Sequence, residues 1–376
     1  MTTKRITTSG NGERRASPVR ALPSFGHDAA AEVQERATSC ELSPDNWFVA
    51  ARSDQLKGAP LSRTILGRSL VLYRTAEGGV VAMEDRCPHK NVALSMGRVH
   101  GDSIQCLYHG WMFDPSGACV DVPCHSPAEK LPRCAVPTYA SVEQDDWIWV
   151  HLGDHDSIEA GPPRYPKARG YGWFELHNVM RAPIDLILEN GFDCSHTGFA
   201  HEGLFRSAPK NFITARIEQT PTGVRVETLD EKSSEGKDAR SLLGKNKRIR
   251  HIDELILPHT VKVDYWLGKT THIVTILVCT PEDQHTTRVY TRMGVRYPGL
   301  TWPVTAFIYL LTRKVVSQDK AILHSQAERI RRFGERAFRA TVADQPATWL
   351  LRTLRDNNRG KYPPTQLGRR DVVYKL

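Results

Sequence analysis

The stretch at residues 106–117 reads C-L-Y-H-G-W-M-F-D-P-S-G, and a shorter stretch at residues 87–90 reads C-P-H-K. Each stretch offers one thiol and one imidazole, with sixteen residues between His89 and Cys106. Two cysteines and two histidines are the ligand set of a [2Fe–2S] cluster with mixed ligation. The same four residue types also suit a tetrahedral zinc ion. The spacing therefore predicts one metal site and leaves both metals open. The four predicted ligands are Cys87, His89, Cys106 and His109.

A second motif, E-N-G-F-D-C-S-H-T-G-F-A-H, occupies residues 189–201. On a regular helix, His196 and His201 would point roughly 140° apart, because each residue turns the helix by about 100°. They can bind one ion only if the helix deforms or ends between them, and Gly198 is placed to allow this. Asp193 lies three residues before His196 on the same helix face, where it can accept a hydrogen bond from the imidazole. Taken alone, two such histidines are more often surface or core residues than ligands.

The motif C-P-H-K followed by C-x-Y-H-G-W-x-F-D-x-x-G strongly resembles the cluster-binding loops of Rieske proteins. The resemblance implies a [2Fe–2S] cluster and makes structural zinc the weaker alternative. It also implies that Gly110 and Gly117 permit tight loop geometry and that Trp111 packs beside the cluster. The resemblance further implies that the two cysteines, Cys87 and Cys106, bind one iron. The two histidines, His89 and His109, would bind the other.

Downstream, E-N-x-x-D-x-x-H-x4-H resembles the catalytic site of the Rieske non-haem iron oxygenases. In that family, two histidines and a distant carboxylate hold a mononuclear Fe(II) and leave positions open for dioxygen chemistry. The sequence S-Q-D-K-A-I-L-H-S-Q at 317–326 resembles the family's helix that carries this carboxylate, which makes Asp319 the predicted third ligand. We expect Asp319 near the start of that helix, where the helix dipole also favours a carboxylate. Asp264 is the reserve candidate, and His324 has no assigned role. The other acids considered are Asp253, Glu282 and Asp283.

The resemblance implies an oxygenase of the homo-oligomeric monooxygenase type, which inserts one oxygen atom of O2 into a C–H bond of a small molecule. Hydroxylation or oxidative demethylation would result. It further implies a homotrimer in which electrons pass from His109 of one subunit through Asp193 to His196 of the next. The alternative is an electron-transfer or redox-sensing protein with a vestigial iron site. Both histidines, Asp193 and Asp319 are present with the family's spacing, which favours the enzyme. The substrate cannot be inferred from the sequence.

The electrons must come from a partner, since the chain lacks a G-x-G-x-x-G motif after a strand and thus an evident nicotinamide-binding fold. A ferredoxin, an NAD(P)H-dependent reductase, or both are implied. The net charge is +9, and residues 321–376 hold twelve Lys and Arg against five acids. This balance would favour an acidic ferredoxin, although a merely solvated basic surface explains it equally well. No interleaved aromatic stripe accompanies the charge, so a nucleic-acid partner is not expected.

The composition of the 376 residues, 40% hydrophobic and 25% charged, is typical of a globular protein of one large or two ordinary domains. The longest apolar stretch, 302–311, is about half of what a membrane-spanning helix needs, so no membrane anchor is expected. Residues 1–21 lack the apolar core of a secretory signal, which predicts a cytoplasmic protein. Their basic, Ser/Thr-bearing composition also fits a transit peptide, but a disordered tail is the preferred interpretation.

Five of the eight cysteines fall within residues 87–134, which favours a metal site in a reducing compartment over a disulfide scaffold. Cys119, Cys124 and Cys134 are interpreted as structural. A second metal site at Cys124 and His125 is a weak alternative.

The hydrophobic pattern predicts an α+β protein, because a section of strands is followed by a helix, more strands and then helices. We expect a flexible tail at 1–44, an all-β Rieske domain at 45–155 and a catalytic domain at 165–376. The resemblance implies an antiparallel sheet with helices of the helix-grip, START-like kind for the last. Strands are predicted at 47–50, 69–73, 80–83, 147–152, 212–217, 223–228, 259–267, 271–279 and 287–297. Helices are predicted at 183–194, 319–338 and 343–355.

Two further expectations concern the catalytic domain. Residues 231–250 carry seven Lys and Arg against three acids and few apolar residues, which predicts a mobile loop. This loop is either an entrance lid or an ordinary surface insertion. The candidate pocket residues are Phe192, Phe199, Tyr265, Trp266 and Ile276.

Overall fold

The computed structural model describes residues 42–124, 126, 129–204, 211–231 and 249–376. Residues 1–41 of the tail predicted for residues 1–44 lie outside the described residues, and so does most of the loop predicted at 231–250. Leu42, at the end of the predicted tail, is buried in the core, so the flexible tail prediction extended too far there. His125, the partner of Cys124 in the weak second metal site, lies outside them too. The three domain limits therefore stay predictions.

Ten short strands build the N-terminal part, as far as its residues are described. They are β1 Trp47–Arg52, β2 Leu61–Ile65, β3 Arg68–Arg74, β4 Val80–Glu84, β5 Arg98–His100, β6 Ser103–Gln105, β7 Met112–Phe113, β8 Cys119–Asp121, β9 Thr138–Gln144 and β10 Trp147–His151. Six of them form an antiparallel sheet in the order β1-β10-β9-β4-β3-β2, and β5-β6-β7-β8 form a smaller one. The predicted turn at 77–79 joins β3 to β4, where Gly78 takes the left-handed φ of 89° that favours glycine.

The C-terminal part is dominated by one eight-stranded antiparallel sheet. Its strands are β11 Gly172–Met180, β12 Phe212–Thr220, β13 Gly223–Thr228, β14 Ile249–Ile256, β15 Thr260–Leu267, β16 Thr271–Pro281, β17 Thr287–Arg296 and β18 Arg369–Lys375. The strand order is β11-β17-β16-β15-β14-β13-β12-β18. This architecture confirms the α+β prediction and all five strands predicted between residues 212 and 297.

Three strands of this sheet, β11, β14 and β18, were not predicted. Arg250, expected in a mobile loop, lies in β14 and pairs with Trp266 of β15. The charged residues that precede β14 hide its apolar alternation, so the loop prediction extended too far at its C-terminal end.

In the described part of the chain, four α-helices accompany the sheet: α1 Ile184–Phe192, α2 Thr197–Ala200, α3 Thr301–Phe333 and α4 Gln345–Asn358. α1 and α4 confirm two of the predicted helices. α3 is far longer than the predicted helix at 319–338, because the apolar stretch 302–311 forms its first turns. It stops earlier than predicted, at Gly334, whose φ of 72° ends the helix. None of the helices within the described ranges is long and apolar enough to cross a membrane.

The position of Asp319 follows from this correction. We expected it near the start of a helix, where the dipole would favour its charge. It lies instead in the middle of α3, eighteen residues after the first helical residue Thr301. The dipole argument is therefore wrong, since that effect is confined to the first turn.

One face of the eight-stranded sheet packs against the N-terminal part. Trp147 and Trp149 of β10 are fully buried there against Val274, Ile276 and Val278 of β16. The hydroxyl of Tyr290 donates to the carbonyl of Ala50 at 2.6 Å. Side chains alternate along a strand, so the residues between those of β16 point to the opposite face. That second face builds the site described next.

Candidate metal centres

The first candidate centre lies on two loops of the N-terminal part. Cys87 follows β4, and Cys106 lies between β6 and β7. The Cys106 amide donates to the carbonyl of Trp111 at 2.8 Å, which closes the loop tightly. Gly110 has a φ of 75°, and Gly117 has a φ of 84° with the carbonyl oxygen of Val136 only 2.0 Å from where a Cβ would stand. Both glycines are therefore required by the backbone, as predicted.

The four predicted ligands meet at the tips of these loops. Cys87 and Cys106 are buried, whereas His89 is half-buried and His109 is exposed. The two imidazole rings lie 4.6 Å apart, and His89 stacks on Trp111 at 4.5 Å. Burial, reinforced by the Cys106 thiol, raises the pKa of Cys87 to about 11. A metal that binds the Cys87 sulfur would replace this proton.

The ligand types alone suit either a zinc ion or a [2Fe–2S] cluster. The distances between the donor atoms distinguish these two alternatives. A tetrahedral zinc ion with bonds of about 2.3 Å holds its ligand atoms within about 4 Å of one another. In the described part of the chain, three donor atoms lie within 4.8 Å of one another at two places, and neither place includes these four residues. Buried sulfurs on one side and outer imidazoles on the other fit the two irons of a cluster better than one zinc ion.

The remaining cysteines of this region form no disulfide. The Cys119 amide donates to the carbonyl of Cys134 at 3.3 Å, which joins β8 to the following segment. Cys124 is exposed. These positions agree with the structural interpretation of Cys119 and Cys134.

The second candidate centre forms where the helical segment after Pro183 breaks. Asp193 ends α1 in an extended conformation, with φ −87° and ψ 116°. His196 then precedes the single turn α2, and His201 follows it. The break before His196 and the end after Ala200 bring the two imidazoles together, 5.3 Å between ring centres. Gly198 lies inside the turn, so its predicted role as the point of deformation is wrong.

Asp319 of α3 closes this group. Its Oδ1 lies 3.0 Å from His201 Nε2 and 3.6 Å from His196 Nε2. His201 is 1% exposed, and its Nε2 is buried without a well-directed hydrogen bond. Two ring nitrogens and one carboxylate oxygen thus face a common point. This donor set and its one-sided arrangement fit a ferrous ion with open coordination positions.

Neighbouring side chains fix the orientation of both imidazoles. His201 Nδ1 lies 3.0 Å from Gln318 Oε1, which can only accept, so the proton sits on Nδ1 and the lone pair on Nε2. His196 Nδ1 lies 3.4 Å from Asp193 Oδ2. Burial would raise the pKa of Asp193, but bonds from His196 and Ser195 outweigh it and hold this pKa below its ordinary value. Sequence reasoning missed Gln318, although it adjoins the predicted ligand.

The other acids considered as third ligand are held elsewhere. Asp264 contacts His272 Nε2 at 2.9 Å and Lys262 Nζ at 2.7 Å, and it does not line the cavity at the centre. Glu282 pairs with Arg288, and Asp283 is exposed at a turn. Asp253 lines the cavity but is bonded to His251. His324 is exposed on α3.

A cavity of about 240 Å³ opens beside His196, His201 and Asp319. Apolar side chains from three strands and α3 form most of its wall, among them Val263, Leu267, Ile273, Leu277, Met293 and Ile308. Of the five pocket residues predicted, Tyr265 lines this cavity. Phe192 and Ile276 are core residues, Phe199 is 69% exposed, and Trp266 lies on the other face of the sheet. One strand position separates Tyr265 from Trp266, and the sequence alone does not say which faces inward.

Comparison with known proteins identifies both parts. The family profile of the Rieske [2Fe-2S] domain matches residues 46–140, and that of the vanillate O-demethylase oxygenase C-terminal domain matches residues 180–354. The iron–sulfur subunit of the toluene-4-sulfonate monooxygenase system of Comamonas testosteroni is 32% identical over 49% of this chain and 53% of its own. The 4beta-methylsterol monooxygenase of Methylococcus capsulatus is 29% identical over 71% of this chain and 73% of its own.

Among solved structures, dicamba monooxygenase bound to dicamba superposes with a TM-score of 0.71, at 22% identity over 85% of this chain and 98% of its own. That likeness concerns the fold. The chain spans about half the length of the first curated relatives it matches. The cofactors of the two matched domains are a [2Fe–2S] cluster and a mononuclear iron, which the residues described above fit. The chain thus matches a Rieske [2Fe-2S] domain followed by a vanillate O-demethylase oxygenase C-terminal domain, and its fold is that of dicamba monooxygenase.

Proposed function

We propose that this chain is an oxygenase of the monooxygenase type. It uses O2 and electrons from NAD(P)H to hydroxylate, or oxidatively demethylate, a small organic molecule. The observation that carries the proposal is the convergence of His196, His201 and Asp319 at the wall of an apolar cavity. A carrier of electrons needs no cavity beside a metal, whereas an enzyme that oxidises a C–H bond needs one.

Each site residue has a role in this proposal. Cys87, His89, Cys106 and His109 hold the cluster, and His196, His201 and Asp319 hold Fe(II). When bound, the iron supplies the open coordination positions at which O2 is activated. Gln318 keeps the lone pair of His201 Nε2 directed at that point. The apolar wall excludes bulk water and holds the substrate by its hydrophobic surface.

Two exposed regions support electron delivery between the subunits of a homotrimer, one beside Asp193 and the other at His109. Asp193 borders a shallow outer concavity between α1 and α3, together with Glu189 and Ile322. His109 stands at the exposed tip of its loop, next to Tyr108, which is 62% exposed. An imidazole N–H that donates to the Asp193 carboxylate would link the cluster of one subunit to His196 of the next.

The electron donor in this proposal is a separate ferredoxin, reductase or both, in the cytoplasm. The basic balance of residues 321–376 supports an acidic protein partner. The relatives named as an iron–sulfur subunit of a monooxygenase system agree with a multicomponent arrangement.

The alternative, an electron-transfer protein with a vestigial iron site, is disfavoured by two details. The triad is complete, and the positioning contacts of both imidazoles are retained.

Metal analysis of the purified protein tests the proposal. We expect about three irons and two acid-labile sulfides per chain, with a Rieske-type signal after dithionite reduction. The substitution His196→Ala should leave the two irons of the cluster and its signal in place and abolish oxygenation. Zinc without acid-labile sulfide would refute the proposed oxygenase activity. A wild-type protein that transfers electrons fully but oxygenates nothing after reconstitution would refute it too.

A further inference from the structure

The cavity beside the iron site has one polar end, built by side chains to which no role has been given so far. Cys194, His251 and Asp253 line it, and all three are buried. His251 Nε2 lies 3.0 Å from Asp253 Oδ1, and Cys194 Sγ lies 3.4 Å from Asp253 Oδ2. Behind His251, the buried Glu231 places its Oε2 3.3 Å from Nδ1.

The imidazole of His251 is held on every side. Each ring nitrogen faces a carboxylate, and one face of the ring stacks on Tyr265 at 4.0 Å. Burial would lower the pKa of His251, but Asp253 and Glu231 outweigh it and raise this pKa above its ordinary value. Both ring nitrogens of His251 are thus occupied by carboxylates. Neither N–H is left to receive an anionic group from a ligand in the cavity.

Asp253 is in the opposite position. Its two oxygens accept from His251 and Cys194, yet a carboxylate has about four lone-pair sites. It stands in the cavity wall on β14, opposite Val263 of β15, which also lines the cavity. A ligand that fills the cavity therefore meets a hydrogen-bond acceptor at this end and hydrocarbon along most of the rest.

We propose that Asp253 selects substrates that carry an uncharged or cationic hydrogen-bond donor, a hydroxyl or a protonated amine, on an apolar body. A donor at this end completes the hydrogen bonding of a buried carboxylate, which is favourable, whereas a methyl group would leave that acceptor buried without it. A carboxylate or sulfonate would bring like charges together in a water-poor space, which is unfavourable. This inference rests on the proposed function, because it concerns the substrate of the same site.

The chain contains a matched control for Asp253. Asp264 lies on the next strand, is equally buried, and contacts the imidazole of His272 at 2.9 Å. It lies outside the cavity, because it occupies the alternate position between the cavity residues Val263 and Tyr265. Asp264→Asn and Asp253→Asn thus each remove one buried carboxylate that contacts a histidine, one outside the cavity and one inside, although Asp264 also contacts Lys262.

The test measures binding to the metal-loaded protein without O2, by equilibrium dialysis. The probes share one 4-methylphenyl body: 4-methylbenzylamine, 4-methylbenzyl alcohol, p-xylene and 4-methylbenzoate. We expect the amine and the alcohol to bind at least about tenfold more tightly than the benzoate, with p-xylene between them. In Asp253→Asn the ratio should fall to within about threefold, whereas Asp264→Asn should keep the wild-type ratio.

Equal or tighter binding of the benzoate by the wild-type protein would overturn the inference, and so would failure of the amine and the alcohol to bind. Neither result depends on Asp253→Asn being stable. A parallel assay for oxygenated products separates the two claims. Selective binding without any oxygenated product would refute the proposed function and leave the selectivity of the cavity in place. Turnover of the benzoate in preference to the alcohol would refute the selectivity alone.

Discussion

The two histidine pairs of this chain differ in burial, because the second pair combines the half-buried His196 with the fully buried His201. His89 and His109 stand at the tips of loops, half-buried and exposed, while the cysteines beneath them are buried. His201 is 1% exposed at a cavity wall, and Asp319 of α3 closes over it. Electron transfer needs an edge that another protein can reach, whereas oxygen chemistry needs exclusion of water. The difference in burial thus follows the difference in task, and each prediction below tests one part of it.

The largest effect is expected where a ligand of the buried centre is removed. Asp319→Ala should lose the mononuclear iron and reduce turnover to below about 1% of the wild type. This exceeds the 10–100-fold cost typical of residues that only support a ligand. Iron and sulfide analysis should show an intact cluster. The reciprocal control, Cys87→Ser, should lose the cluster and keep the mononuclear iron. Loss of both centres in either variant would contradict the separation of the two sites.

Asp193 links the two environments, so its substitution should spare both metals and impair their exchange of electrons. In Asp193→Asn, we expect iron and sulfide to stay at wild-type levels and turnover to fall about 10–100-fold. Stopped-flow oxidation of the pre-reduced cluster by O2 and substrate should slow by a similar factor. Unchanged oxidation kinetics would remove Asp193 from the electron path.

A third kind of histidine sharpens the comparison. His259 is as buried as His201 but faces no carboxylate, and its Nε2 lies 2.8 Å from the carbonyl oxygen of Trp47. Burial lowers the pKa of His259 from 6.5 to about 4, whereas Asp319 raises that of His201 despite its burial. Between pH 6.5 and 4 the unfolded chain therefore binds a proton at His259 that the folded chain does not. Stability falls as the pH drops through this window, by about 2 kcal/mol at pH 5.

Urea unfolding at pH 8 and pH 5 measures this dependence. His259→Gln keeps a donor for the Trp47 carbonyl but cannot titrate. The loss of stability between the two pH values should therefore be smaller in this variant by about 2 kcal/mol. An identical loss in wild type and variant would show that His259 is not held neutral in the fold.

The smallest effect is expected at Cys119. It lies near the cluster loops but joins β8 to the segment that contains Cys134 through backbone contacts. Cys119→Ser should leave iron, sulfide and the spectrum of the reduced cluster unchanged. A changed spectrum would mean that the set of four ligands is incomplete or wrongly chosen.

The sequence predicted best where local pattern and structure coincide. Strand β13 was predicted residue for residue. Its apolar and polar residues alternate, and the strand is bounded by a glycine at its start and by polar residues at its end. The four residues at the cluster loops follow from one compact motif. For the second centre, the contact between Asp193 and His196 was predicted for the wrong reason: the helix that was to align them ends at Phe192, and the contact forms across the break.

Long-range features were harder to predict. The apolar stretch 302–311 carries Pro303, which suggests a break, yet the first turn of a helix tolerates proline because its N–H groups have no partners within the helix. The apolar stretch packs on β17, where Ile308 meets Met293 and Val295. Only the tertiary contact shows that α3 starts at Thr301 and carries Asp319 in its middle. The polar end of the cavity was missed because β14 was not predicted.

The alternation along β16 has a practical consequence for directed evolution. Ile273, Thr275 and Leu277 line the cavity, whereas Val274, Ile276 and Val278 hold the two domains together. Randomising only the odd-numbered positions would sample new substrate shapes. The packing contacts between the domains would stay unchanged. A library restricted in this way should contain far fewer unfolded members than one of equal size spread over all six positions.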